Sequence, residues 1–171
     1  ILNEDTSKFP ENIRVLSWNY DYQFEKAFSM FSDENDLGKN QKLLNVVSKF
    51  SIEVTPPGFT IIKINGTTGY GGKAHGEPVI HNFVKDFDLN SKLDANLFEK
   101  VVERYFQVAN KFKDSVYPTL SFAWERSELG ESNIIDKAIA CTQDTDVLVV
   151  IGYSFPFFNR EVDRAIIGAM K

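Results

Sequence analysis

The stretch from Asp146 to Arg164, Asp-Val-Leu-Val-Val-Ile-Gly-Tyr-Ser-Phe-Pro-Phe-Phe-Asn-Arg-Glu-Val-Asp-Arg, constrains the fold more than any other. It opens on a continuous apolar run, Val147 to Ile151, in which every residue but Leu148 is β-branched. A run this short and this apolar reads as a strand buried on both faces, as in a parallel sheet. Gly152 breaks it, and Ser154 and Asn159 offer capping oxygens. Val162, Ala165, Ile166, Ala169 and Met170 then fall at helical spacing. A buried strand, a small-residue turn and an amphipathic helix form the βα corner at which α/β folds place ligands.

The same signal recurs upstream. Ile13 to Trp18 reads as a strand, followed by Asn19-Tyr-Asp21 at a turn and a helix with Phe24, Ala27, Phe28 and Phe31 on one face. Asp33 to Lys42 is polar, contains Gly38 and reads as a loop, with a short helix expected over Leu43, Val46, Val47 and Phe50. Pro56-Pro-Gly58 marks a turn before a strand over Phe59 to Ile64, which ends in Asn65-Gly-Thr67. Gly66 to Asp94 has no clear period and reads as a cover or small insertion. Leu97, Val101, Val102, Tyr105, Ala109 and Phe112 mark a helix, Thr119 to Trp124 a strand, and a last helix from about Ser132 leads into the Val147 run. Alternating strands and helices predict one α/β domain over residues 1–171, a three-layer, Rossmann-like open parallel sheet.

Charge and cysteine content narrow the function classes. A net charge of −5 gives no basic face for nucleic acid, and no basic run suits an anionic membrane. No apolar run is long enough to span a bilayer. The single cysteine, Cys141, leaves no internal disulfide and no multi-cysteine zinc site, so a half-buried structural thiol in a reducing, cytoplasmic setting is expected. Fifteen Phe among the aromatic residues imply large buried rings, an aromatic interface, or both.

Each polar corner has a plain structural reading beside a functional one. Asn19 and Asp21 suit hydrogen bonds to ribose hydroxyls, yet both residue types also cap helices. Asn65 and Ser154 end other predicted strands and share that ambiguity. Three such corners on one sheet edge say more than any one of them. Gly69-Tyr-Gly-Gly72 opens no helix and fits neither glycine fingerprint, so a flexible loop is expected. His75 and His81 have no metal-ligand spacing and read as surface residues, and Glu125 as a solvated loop acid.

Taken together the corners resemble the SIR2-like domain, the sirtuin-type fold. Ser17-Trp-Asn-Tyr-Asp21 is similar to the sirtuin Thr-Gln-Asn-Ile-Asp motif and closer to the Thr-Asn-Tyr-Asp of bacterial SIR2-like proteins. Lys63-Ile-Asn-Gly66 falls where the family has Leu-His-Gly. Gly152-Tyr-Ser-Phe155 resembles the late Gly-Thr-Ser-Leu turn. The resemblance spans about residues 13 to 168. It implies NAD as ligand or substrate, with Asn19 and Asp21 at the nicotinamide ribose and Gly152 and Ser154 against the adenosine half. It also implies NAD cleavage with nicotinamide release, in bacterial members often within multidomain antiphage-defence proteins. Asp21 and Asn65 would occupy the catalytic positions.

Three departures qualify what carries over. Asn65 stands where the family has its catalytic histidine, and an amide takes no proton near neutral pH, so deacylase chemistry is unsupported. No Gly-Ala-Gly phosphate loop precedes the first strand, which leaves pyrophosphate without its helix N-terminus. The family's zinc module needs four cysteines, so no zinc is expected. The chain begins at Ile1, not Met, and reads as a piece of a longer protein, with partner domains or self-association to match. The competing expectation is a catalytically inactive interaction or assembly domain that keeps the fold, with Phe155, Phe157 and Phe158 at its interface.

Overall fold

The structure, a computed structural model, describes residues 9–48, 58–74, 77–81, 95–111, 116–122 and 134–171. It is a mixed α/β fold. The described residues belong to two compact units. One is drawn from Ile1–Tyr20, Asn45–Gly66 and Ser121–Lys171, the other from Asp21–Leu44 and Thr67–Leu120.

The first unit is built on a parallel three-stranded sheet. Its strands β1 (Arg14–Ser17), β2 (Val46–Val47) and β3 (Thr60–Lys63) lie in the order β1-β3-β2. Ser17 pairs with Lys63 and Val47 with Ile62. Every residue of β3 is buried, as a central strand covered on both faces requires. Among the described residues two helices complete the unit, here α4 (Ile134–Thr142) and α5 (Arg160–Ile167), with a 3₁₀ turn, Phe157–Asn159, leading into α5. Val47, Ile62, Ile64, Ile134, Ala138, Val162 and Ile166 form the core, and Leu16, Trp18 and Cys141 pack at its margin. Each fully buried aliphatic side chain contributes ~1.5–3 kcal/mol relative to exposure.

The second unit contains α1 (Gln23–Ser32), α2 (Leu37–Leu43), β4 (Gly66–Ala74, from Thr67 on), β5 (Glu77–His81), α3 (Ala95–Lys111) and β6 (Val116–Leu120). Its sheet has the order β5-β4-β6, and β4 and β5 run antiparallel with Tyr70 opposite His81. α1 packs on α2. α1 buries Glu25 and Ser29 and leaves Phe24 and Phe31 of the expected apolar face exposed.

Several expectations are corrected. The largest concerns Val147–Ile151, which forms no strand and is exposed along its whole length. Its composition is that of a buried strand, but among the described residues no neighbouring strand pairs with it. Asp33 to Lys42 is not all loop: the Asp36 carboxylate accepts the Lys39 amide at 2.7 Å and starts α2 there, so Gly38 sits in a capped first turn. The helix expected from Leu43 does not form. Asn45 turns the chain at φ +47° and donates through Nδ2 to the Phe59 carbonyl at 2.9 Å, which sends Val46–Val47 onto β3 as a strand.

In the described part of Gly66 to Asp94, expected as a cover or small insertion without a clear period, residues 66–74 and 77–81 pair as antiparallel strands. The glycines of Gly69–Gly72 hide the side-chain alternation that would have announced that strand, and the loop assigned to them is a strand. The strand expected over Thr119–Trp124 is placed earlier, at Val116–Leu120, and Ser121 and Phe122 lie outside it. His75, Glu125 and residues 82–94 lie outside the described residues. The described strands therefore make two small sheets, only one of them wholly parallel in its pairing. Among the described residues no helix is long and apolar enough to cross a membrane.

Candidate functional site

The parallel register of β1 and β3 brings their C-terminal ends to one edge. The Ile64 amide donates to the Ser17 carbonyl at 2.8 Å, extending the ladder one residue past both strands. Asn65 Nδ2 then donates to the Trp18 carbonyl at 2.7 Å, closing the two corners on each other. Gly66 follows at φ +72°, a conformation that glycine adopts without strain and that turns the chain away directly after Asn65. The Asn65 carbonyl accepts the Ser121 amide at 3.1 Å. Asn65 is buried and pinned on two sides.

Ser17 organises the other corner. Its hydroxyl accepts the Asn19 amide at 3.2 Å and lies 3.3 Å from the Asn19 carbonyl, folding residues 17–19 into a tight turn. The Asn19 side chain is left exposed at the tip. Lys63, in register with Ser17, is fully buried at the end of β3, which the sequence did not announce.

The third corner joins these through aromatic packing. Trp18 and Tyr153 stack with ring centroids 4.5 Å apart and planes 29° from parallel. Phe155 meets Tyr153 edge-on at 4.9 Å. Gly152 at φ +65° and Phe155 at φ +52° are both left-handed, so the Gly152–Phe155 turn is sharply curled. For Phe155 that backbone costs of order 1–3 kcal/mol, and such residues persist only where their surroundings hold them.

The hold is a three-residue knot. The Tyr153 hydroxyl donates to Asp163, whose carboxylate oxygens lie 3.0 and 3.1 Å away, and accepts from Asn159 Nδ2 at 2.8 Å. Asn159 closes the 3₁₀ turn at the N-cap position of α5, and Asp163 lies four residues on, in the first turn of that helix. Both are buried. Burial pushes the Tyr153 phenol up to about 12, and burial raises the Asp163 carboxyl above its usual range. Among the described residues, Trp18 Nε1 and Asn159 Oδ1 are buried without a hydrogen-bond partner. Each such group carries a desolvation cost of ~1–3 kcal/mol until water or a ligand satisfies it.

Asn19, Asn65, Gly152 and Ser154 thus lie around one end of the first unit's sheet, with Gly152 and Ser154 exposed. No neighbouring atom lies within 4 Å of where a Gly152 Cβ would stand, so the backbone there is open to close approach. Asp21 opens the second unit, where its Oδ1 accepts the Gln23 amide at 3.2 Å just ahead of α1. The residue at the α1 N-cap is Tyr22, which makes no side-chain cap.

No family model, no curated protein and no solved structure matches this chain. The residue geometry therefore carries the functional reading by itself.

That geometry can bind hydroxyls and amides. It presents the Asn19 amide, the Ser154 hydroxyl and the Gly152 backbone beside a stacked aromatic pair. The Asn65 amide cannot relay protons and is already bonded to the Trp18 carbonyl, so general acid–base work through this residue is unsupported. Among the described residues no three His, Cys, Asp or Glu side chains gather as a metal site. Trp18, Tyr153 and Asp163 were not singled out from sequence, and Asn159 only as a capping oxygen. The i, i+4 spacing of Asn159 and Asp163 behind a tyrosine was the available signal, but nothing in it named Tyr153 as their common partner.

Proposed function

We propose that this chain is a SIR2-like, Rossmann-like domain that binds NAD at the ends of β1 and β3. In the intact protein it would hydrolyse the nicotinamide bond, as a cytoplasmic enzyme of bacterial antiphage defence. Support comes from one arrangement above all: the Asn65–Trp18 bond and the Trp18–Tyr153 stack gather three polar corners at one end of a parallel sheet. Ligands of open α/β sheets bind beyond the carboxyl ends of the strands. In this reading Asn19 and Asp21 position the ribose, Gly152 and Ser154 lie against the adenosine half, and Asn65 orients ribose or water. No zinc takes part.

The test incubates the purified intact protein with NAD and measures free nicotinamide, with Asp21→Ala alongside. Release by the parent and its loss in the variant are expected. An absence of both nicotinamide release and calorimetric NAD binding would sink the reading. A second reading, an inactive interaction domain, is favoured by the exposure of Phe155, Phe157 and Phe158 next to the exposed Val147 run.

A further inference from the structure

Three buried side-chain polar atoms lack a hydrogen-bond partner among the described residues, and two of them, Trp18 Nε1 and Asn159 Oδ1, belong to residues that touch Tyr153. Trp18 stacks on the Tyr153 ring at 4.5 Å, and Asn159 Nδ2 donates to the Tyr153 hydroxyl at 2.8 Å. Asn159 is 3% exposed. Native folds hold few such orphans, and each calls for an explanation.

The polarity of the pair follows from one proton. The Tyr153 hydroxyl carries a single hydrogen, and the Asp163 carboxylate takes it. The hydroxyl can then only accept from Asn159, so the amide turns Nδ2 toward Tyr153 and leaves Oδ1 as the orphan. The corner thus offers one donor, the indole N–H, and one acceptor, the amide oxygen. Charge sets a further limit. Asp163 forms no ion pair among the described residues and is joined to Asn159 through the shared hydroxyl. An anion brought here would face that carboxylate uncompensated.

The corner is reached from the surface. Gly152 and Ser154, on either side of Tyr153, are exposed, and nothing lies within 4 Å of where a Gly152 Cβ would stand. Phe155 holds a left-handed backbone, a strain that gathers at ligand clamps.

We propose that the Trp18–Tyr153–Asn159 corner binds a neutral group of a nucleoside, one that accepts from Trp18 Nε1 and donates to Asn159 Oδ1. Phosphate does not enter it. The nucleoside as carrier rests on the NAD reading, whereas the neutral donor–acceptor group rests on the corner alone. Ribose hydroxyls and the amino edge of adenine both meet that demand. A water fits less well, since a buried water makes about three hydrogen bonds and the orphans supply fewer.

The experiment follows the indole N–H resonance of Trp18 in the intact protein, identified by its loss in Trp18→Phe. The titrants are adenosine, dideoxyadenosine, purine riboside and inorganic phosphate. Trp18→Phe keeps a ring on Tyr153 and removes the donor, and circular dichroism confirms that it is folded. A saturable shift with adenosine and none with phosphate are expected, with several-fold weaker adenosine binding by Trp18→Phe. Several-fold weaker binding of dideoxyadenosine would assign the group to the ribose, and of purine riboside to the adenine edge. A resonance that adenosine leaves unmoved, including one coupled to a long-lived water only, overturns the proposal. So does equal binding of all three nucleosides, or an equal shift with phosphate. NAD bound with the Trp18 resonance unmoved would overturn this proposal and leave the NAD reading standing. Adenosine bound as expected without nicotinamide release would sink the enzyme and keep the corner.

Discussion

Two apolar segments of the first unit share a sequence style and have opposite fates. Thr60–Lys63, continued by Ile64, lies between two parallel partners and is buried throughout. Val147–Ile151 is at least as apolar and has no partner among the described residues. Both lead into a glycine at positive φ, and both end at the Trp18 corner. The difference teaches that composition sets what a strand needs, whereas pairing decides whether it is met. Pairing is non-local, so two runs that look alike along the chain can carry very different shares of stability.

Removing side chains from each run exposes that contrast most strongly. Ile62→Ala should destabilise by about 2–5 kcal/mol, since Ile62 is fully buried and its loss leaves a cavity. Val149→Ala should change stability by about 0.5 kcal/mol or less, as at other exposed positions. Urea denaturation of both variants measures the gap. Equal losses would mean that the run is covered in solution, and would erase the comparison.

The next effect concerns what ties the exposed run to the paired corner. Tyr153→Phe keeps the ring on Trp18 but leaves Asp163 and Asn159 without their shared hydroxyl. A loss of about 1–3 kcal/mol is expected, the cost of buried polar groups left unsatisfied. If the same denaturation assay shows no change, water enters the site and the knot holds nothing in place.

Asn65→Ala tests the paired corner in the same terms. It deletes the bond from Nδ2 to the Trp18 carbonyl, which is worth about 0.5–1.5 kcal/mol net. Because the bond links two strand ends, near-ultraviolet dichroism of the tryptophan region should fall along with stability. Stability lost with an unchanged aromatic signal would show that the Trp18–Tyr153 stack stands independently of Asn65.

How much of this was legible follows from the same distinction. β1, β3, α1, α3, α4 and α5 were readable because their apolar residues recur at local periods of two or 3.6. β2 was not, because two valines beyond a left-handed Asn45 carry no period, and only the register with β3 makes them a strand. β4 hid behind its glycines. At the candidate site, Asn19, Asn65, Gly152 and Ser154 stood out as polar or small residues at the ends of apolar runs. Trp18, Tyr153 and Asp163 did not, since two of them look like core aromatics and one like a helix-surface residue, and Asn159 stood out only as a cap. Their meaning lies in meeting at one hydroxyl, which spacing does not encode.

The smallest effect probes the charge inside that knot. Burial raises the Asp163 carboxyl above its ordinary value of 3.8, opposed in part by the bond from Tyr153. Over the interval from 3.8 up to its raised value, the folded state holds more protons at this site than the unfolded state. Stability from this residue therefore falls as pH rises through that interval and levels off above it. This is the reverse of a carboxylate stabilised by a cation. Asp163→Asn keeps an oxygen that can accept from Tyr153 but carries no charge, so its stability should not tilt with pH at this site. The melting temperature of the variant should accordingly gain on that of the parent between pH 4 and neutrality. A difference that moves the other way would mean that Asp163 is held as a favoured anion. In that case the exposed run would be anchored by a charge, and not by the neutral hydrogen bonds that tie the paired strands together.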